Sequence, residues 1–362
     1  MIVGILKEIK PAEKRVSMIP AGVHQMIKNG HHILVQKEAG AGSGFPDELY
    51  ASVGAEMVES AAEIFQRSDM VMHVKEITHP EYELLREGLI VFTYLHLAAD
   101  PDQIKALMDS KCVAVAYETV QTADGKHPLL EPMSEVAGKM SIQEGARFLE
   151  MPQGGSGILM GGVPGVAAAK VLIIGGGIVG TNAAKVACGM GADVTILDTS
   201  LDRLRYLDDV MPANCRLIMS NHYVLEEELK QADLVIGAVL VTGAKAPKLV
   251  TREMISGMKK GSVMVDVAID QGGCFETSRP TTHQDPVFII DGVVQYCVAN
   301  MPGAVARTST MALTNATLPY AIALANKGWK RASEEDPALA KGLNVVNGEI
   351  VYEPVKQAFS TY

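Results

Sequence analysis

Short continuous runs of Val, Ile and Leu recur along the chain and alternate with amphipathic stretches. Such runs suit strands covered on both faces, and the stretches between them suit helices, so the pattern predicts parallel β-α-β units rather than a sandwich or a bundle. The strands expected in the first part are 2–6, 33–36, 70–74, 90–94 and 113–116. A helical stretch at 134–150 and a glycine-rich segment at 154–165 come next. A second series of strands is expected at 171–174, 193–197, 216–219, 234–238, 263–268 and 293–298. From about Arg307 the chain reads helical, with too few strands to stand alone, and is expected to return to the first block. The fold class read from this order is α/β, with two doubly wound domains and a cleft between them.

Length agrees, because 362 residues exceed one comfortable core. Hydrophobic residues at 48% and charged residues at 20% describe a folded globular chain. A formal net charge of −10, with no long run of one sign, argues against nucleic acid as a partner. The opening MIVGILKEIK meets a charge too early for a secretory signal. The uncharged stretch 154–169 is too crowded with Gly and Pro to span a bilayer, so no membrane association and a soluble, cytoplasmic location are expected. The five cysteines, at 112, 188, 215, 274 and 297, lack CxxC spacing and read as apolar filling. No His or carboxylate cluster has zinc-like spacing, so no metal is expected.

The most informative local feature is KVLIIGGGIVGTNAAKVACGMGADVTILD. An apolar strand feeds Gly175-x-Gly177-x-x-Gly180 and then a helix of small residues. In this arrangement Gly175 permits a tight turn, Gly177 lets the backbone approach a pyrophosphate, and Gly180 lets the helix lie against the strand. The next strand ends in Asp198, 18 residues past Gly180, at the spacing of an acid that binds the adenosine ribose. Glycine turns also serve plain packing, but here strand, turn, helix, second strand and acid occur in order. The domains are therefore read as 1–128 plus 307–362, a discontinuous substrate and catalytic domain, and 129–306, an NAD-binding Rossmann domain. Asp198 would repel a 2′-phosphate and favours NAD over NADP, while nearby Arg203 and Arg205 blur that preference; both would otherwise sit on a solvated helix face.

Longer ordered stretches then become specific. These are GILKEIKPAEKRVSMIPAGV at 4–23, GAGSGF at 40–45, AYETV at 116–120, PLLEPMSEVAGKMSIQEGARFLE at 128–150, VMVDVAIDQGG at 263–273 and NMPGAVARTST at 300–310. With them the chain resembles, over nearly its whole length, the family that joins alanine dehydrogenases with the NAD-binding subunit of proton-translocating transhydrogenase. The resemblance implies substrate binding by Arg15 and Lys75 and catalysis by His96 and Asp270. It also implies cofactor contacts from Ser134, Ile178, Val179, Asp198, Arg203, Ser220, Val239, Leu240, Val267, Ala268, Ile269, Asp270, Arg279, Val298, Ala299, Asn300 and Met301. It further implies a homo-oligomer, commonly a hexamer.

The residues themselves bear on the first four. Lys75, His96 and Asp270 each follow an expected strand, and Arg15 lies in the loop after the first, so all four stand where ligands bind in open α/β sheets. By composition alone Arg15 and Lys75 would be solvated cations, His96 a structural histidine and Asp270 a turn cap. Together they suit oxidative deamination of a small 2-amino acid. Arginine can grip a carboxylate with two parallel hydrogen bonds. Lysine can stabilise charge on an oxygen. An imidazole with an ordinary pKa of about 6.5 can move protons near neutrality, and an aspartate can position the amine or a water. L-alanine would give pyruvate, ammonium and NADH, reversibly. Two rival functions are an NAD-binding subunit that serves a membrane transhydrogenase and a dehydrogenase for a larger amino acid; an inert NAD-binding scaffold would need four suitable residues by coincidence.

Overall fold

The computed structural model describes residues 1–239 and 246–359. The chain divides into two compact units, Met1–Met133 with Val305–Tyr362, and Ser134–Ala304. Each is an α/β unit built on its own mostly parallel sheet.

In the first unit the early strands are β1 Ile2–Ile5, β2 His32–Gln36, β3 Glu56–Val58, β4 Met70–Met72, β5 Ile90–Thr93 and β6 Val113–Ala116. In the second unit they are β7 Lys170–Ile174, β8 Asp193–Asp198, β9 Cys215–Met219, β10 Leu234–Gly237, β11 Val263–Asp266, β12 Val287–Ile290 and β13 Val293–Tyr296. The tail adds β14 Leu343–Val346 and β15 Glu349–Ile350. The first sheet runs β15-β14-β6-β5-β4-β1-β2-β3 and the second β12-β13-β11-β10-β7-β8-β9. From β3 to β6, and from β9 to β13, every neighbouring pair is parallel.

Both sheets thus have the order in which the chain winds outward from a central strand, returns, and winds the other way. The reversal falls between β1 and β4 in the first sheet and between β7 and β10 in the second. At such a point the loops leaving two adjacent strands diverge to opposite faces and open a crevice at the carboxyl edge. Central strands are buried throughout, as their unbroken apolar runs require: β4, β5, β6, β10, β11 and β13 have no exposed position. Gly4 in β1 exists for close packing, because a Cβ there would stand 2.3 Å from the Ile64 side chain.

Every strand expected from the sequence forms, with ends shifted by at most two residues. The expected helix at 134–150 begins earlier, as Glu131–Phe148, since Pro132 is tolerated in a first turn where no intrahelical N–H bond is needed. The reading of the tail as helical is corrected in part. Ala306–Glu335 is a helix broken at Gly328, whose φ of 73° no helix interior accepts, but β14 and β15 follow as an antiparallel hairpin turning at Asn347-Gly348. Both turn residues have positive φ, the geometry that an Asn-Gly turn supplies with the right twist. β14 pairs with β6 and extends the first sheet. The cysteines are free thiols, buried except for the half-buried Cys215. Among the described residues no helix is long and apolar enough to cross a membrane.

Candidate functional site

In the second unit the glycine fingerprint occupies the turn from β7 into the helix Ile178–Gly189. Gly175 has φ +98°, and a Cβ on it would press against the Ala238 carbonyl. A Cβ on Gly180 would stand 1.9 Å from the Gly175 carbonyl oxygen, so helix and turn touch through bare backbone. At Gly177, in contrast, a Cβ would meet nothing within 4 Å. That space lies at the helix N-terminus, whose first turn carries no acidic residue and whose cap residue supplies no side-chain acceptor. Amides aimed into an open cradle fit a dinucleotide pyrophosphate.

Asp198 ends β8 and already orders the turn: its Oδ2 accepts the Gly176 N–H at 2.8 Å and its Oδ1 the Ser200 N–H at 2.8 Å. Arg203 donates from Nε to the Gly176 carbonyl at 2.6 Å and from Nη2 to the Thr181 hydroxyl at 2.8 Å. It is therefore a strut of the glycine turn, unlike Arg205, which pairs with Asp202 on the exposed face. Ser220 follows β9 and donates its N–H to the Asp198 carbonyl. Val239 follows β10, and Leu240 lies outside the described residues. Ile178 is exposed and Val179 buried. Ser134 sits half-buried in the helix Glu131–Phe148. Arg279 lies over the Phe288 ring at 4.4 Å. Past β13, Val298 and Met301 are buried and Ala299 and Asn300 half-buried, with Asn300 at a φ of 61°.

Asp270 is exposed in the short turn Ile269–Gln271 that follows β11. Its loop is organised by Asp266, a fully buried carboxylate that sequence reasoning missed. Asp266 accepts the backbone N–H groups of Ala268, Cys274 and Phe275 at 2.9–3.3 Å and the Ser278 hydroxyl at 2.5 Å. Burial raises its pKa above the usual carboxylate range, against the pull of these donors. Val267 is half-buried and Ala268 and Ile269 are buried in the same loop.

In the first unit Arg15, Lys75 and His96 leave the carboxyl ends of β1, β4 and β5, which are neighbours in the sheet. Arg15 is buried, and Glu13 grips its Nε and Nη2 at 2.7 and 2.5 Å. Burial works against the guanidinium's charge, and Glu13 more than restores it, so the pKa is raised. Arg15 also donates from Nη1 to the Met133 sulfur at 3.1 Å. The Lys75 N–H bonds Glu8, and its carbonyl accepts the Thr93 hydroxyl at 2.8 Å.

His96 is exposed and lies parallel to the Tyr94 ring, centroids 5.8 Å apart. Its φ of 50° is left-handed, and Glu118 holds it there by accepting the Leu95 N–H at 3.1 Å and the His96 N–H at 2.6 Å. A Glu118 oxygen also stands 4.0 Å from Nδ1, beyond hydrogen-bond distance. Glu118 lies in the AYETV stretch, where an acid between apolar residues was the only signal of it.

Behind this edge is a second buried cluster. His73 Nδ1 meets Glu8 at 2.9 Å and Nε2 meets Glu81 at 2.8 Å. Burial disfavours the charged ring, yet the two carboxylates overcome it and push its pKa up to about 10.

Comparison with known proteins matches the chain in two consecutive segments. Residues 4–137 match the family model described as the N-terminal domain of alanine dehydrogenase/PNT, and residues 141–353 the C-terminal domain. An alanine dehydrogenase of Methanococcus maripaludis is 56% identical over 359 residues, covering 99% of this chain and 96% of that one. A solved L-alanine dehydrogenase superposes with a TM-score of 0.97 at 49% identity, covering 100% of this chain and 99% of the other. A transhydrogenase from Sinorhizobium meliloti shares the fold, with a TM-score of 0.82 at 24% identity over 97% of this chain and 99% of its own.

Two outcomes follow from the geometry. Gly180→Ala lowers stability by roughly 1–3 kcal/mol, the usual cost of overpacking, whereas Gly177→Ala stays within about 0.5 kcal/mol of the parent; thermal unfolding of the two variants checks the contrast. His73 has its pKa raised on folding, so its contribution is complete below the unfolded value of about 6.5 and fades as pH rises through the folded value. The imidazole therefore stays charged at pH 8 and loses its proton near pH 10, with the melting temperature falling across that range. A neutral ring at pH 8 in a nitrogen-15 titration would contradict this.

Proposed function

The chain belongs to the alanine dehydrogenase/PNT family, and on that premise we propose how its residues divide the NAD-dependent oxidative deamination of L-alanine to pyruvate and ammonium. NAD, when bound, supplies the hydride acceptor. The amides of Gly177, Ile178 and Val179 hold its pyrophosphate and Asp198 its adenosine ribose. Ser134, Arg203, Ser220, Val239, Leu240, Val267, Ala268, Ile269, Arg279, Val298, Ala299, Asn300 and Met301 complete the cofactor contacts.

Arg15 binds the substrate carboxylate. Glu13 fixes the plane of that guanidinium by taking its Nε and Nη2 donors. Lys75 stabilises charge on the substrate oxygen as the carbonyl forms. His96 takes up and returns the proton as water adds to the imine and ammonia departs. The Glu118 carboxylate stands 4.0 Å from Nδ1, and Nε2 carries the exchange. Asp270 orients the amine or the attacking water.

The observation that supports this reading is the placement of Arg15, Lys75 and His96 past three adjacent strand ends at a topological switch point. A cytoplasmic setting, supported by the free thiols, and assembly as a hexamer complete the proposal.

NADH oxidation by the wild-type protein should require both pyruvate and ammonium, and across a panel of 2-oxo acids pyruvate should be preferred. Strong preference for a long or charged oxo acid would overturn the substrate. His96→Ala and Asp270→Asn should each lower kcat by about a hundredfold or more while NADH still binds, as removal of a proton-transfer group does. Undiminished turnover in either variant removes that residue from the mechanism.

A further inference from the structure

Lys75 stands in a turn that is clasped at both ends by the buried cluster. Glu8 Oε1 accepts the Val74 N–H at 2.6 Å and shares the Lys75 N–H with Oε2 at 3.4 and 3.3 Å. The same Oε1 faces His73 Nδ1. On the far side of the ring, Glu81 accepts from His73 Nε2 through one oxygen. Through the other it accepts the Thr78 N–H at 2.9 Å and the Thr78 hydroxyl at 3.0 Å. One carboxylate thus meets both His73 and Thr78, and the other meets His73, Val74 and Lys75. The side chains of Glu8, His73 and Glu81 are exposed by only 3%, 2% and 5%.

An imidazole between two carboxylates donates from both nitrogens when it is charged, the form that the neighbouring Glu8 and Glu81 favour. Three charges out of water are a costly way to close a turn that apolar side chains could close as well. What the cluster supplies that apolar packing does not is direction: each bond fixes a backbone N–H or ring nitrogen at one distance. Thr93 fixes the Lys75 carbonyl from the neighbouring strand as well. We propose that Glu8 and Glu81, joined through His73, are positioning residues that fix where the Lys75 side chain leaves the sheet, and so set the enzyme's affinity for its 2-oxo acid. The inference rests on the role given above to Lys75.

A double-mutant cycle on the full chain loaded with NADH tests it, reading pyruvate affinity from the fluorescence of bound NADH so that loss of turnover does not matter. Glu8→Gln should weaken pyruvate binding about tenfold, within the range of coupling between residues in contact, with NADH affinity unchanged. In a Lys75→Gln background the same change should alter pyruvate binding by less than about twofold. If the two effects multiply, or if Glu8→Gln leaves pyruvate binding as it was, the clasp is structural only and the inference falls. If Lys75→Gln alone leaves pyruvate binding intact, it is the role of Lys75 that fails, and the inference with it. Should Glu8→Gln not fold, Glu81→Gln carries the same cycle, because it releases Thr78 and one side of His73 while sparing the bonds from Glu8 to the backbone.

Discussion

A carboxylate withdrawn from water must be met by donors, and backbone N–H groups at the end of a parallel strand are donors without partners. This chain brings the two together repeatedly. Glu8 ties down the end of β4, Glu118 the end of β5, Asp266 the loop after β11, and Asp198 the turn after β7. Beside the local bonds of Asp198 to Ser200 and Asp266 to Ala268, each carboxylate holds an amide at least eight residues away, and those bonds fix one segment against another. The loops at the carboxyl edges are where the candidate reactive groups sit, and they would otherwise be the least constrained part of an α/β sheet. The constraint is directional, which burial of apolar surface alone is not.

The two units share one winding order and use it differently. In the second, the first turn is stripped of side chains: glycine at 175 and 180 lets backbone touch backbone, and glycine at 177 leaves a cradle beside a helix N-terminus. In the first, the corresponding loop after β1 has no glycine fingerprint and carries Glu8, Glu13 and Arg15 instead. A bare turn presents dipoles and suits a phosphate. A loop bearing a buried Arg-Glu pair presents a fixed, partly neutralised cation, which suits a small carboxylate better than a polyanion. Topology makes the crevice, and side chains decide what enters it.

Much of this was legible in the sequence. The buried strands announced themselves because parallel strands covered on both faces must be apolar at every position. What escaped were edge elements. β3 is three residues long, β12 has no buried position, and β14 and β15 are short enough to be lost beside a long helix, although Asn347-Gly348 between apolar runs was a turn signal that could have been read. The turn at Gly175 and the close packing at Gly180 followed from spacing. The supporting carboxylates did not, since nothing in a local window distinguishes Glu8 or Asp266 from a solvated acid; their partners lie on other strands.

His96 shows how these levels meet. Its backbone sits in the left-handed region, which costs an ordinary L-residue about 1–2 kcal/mol and which glycine would adopt freely. Glycine has no imidazole. The chain keeps histidine and holds the conformation with two N–H bonds to the Glu118 carboxylate; bonds to a charged acceptor are worth about 1.5–3 kcal/mol each, enough to offset the strain. The same carboxylate stands on the Nδ1 side of the ring. The backbone strain is therefore held by one group while the ring lies against Tyr94, and a substitution at 118 releases the backbone. A histidine held only by apolar neighbours would relax its backbone.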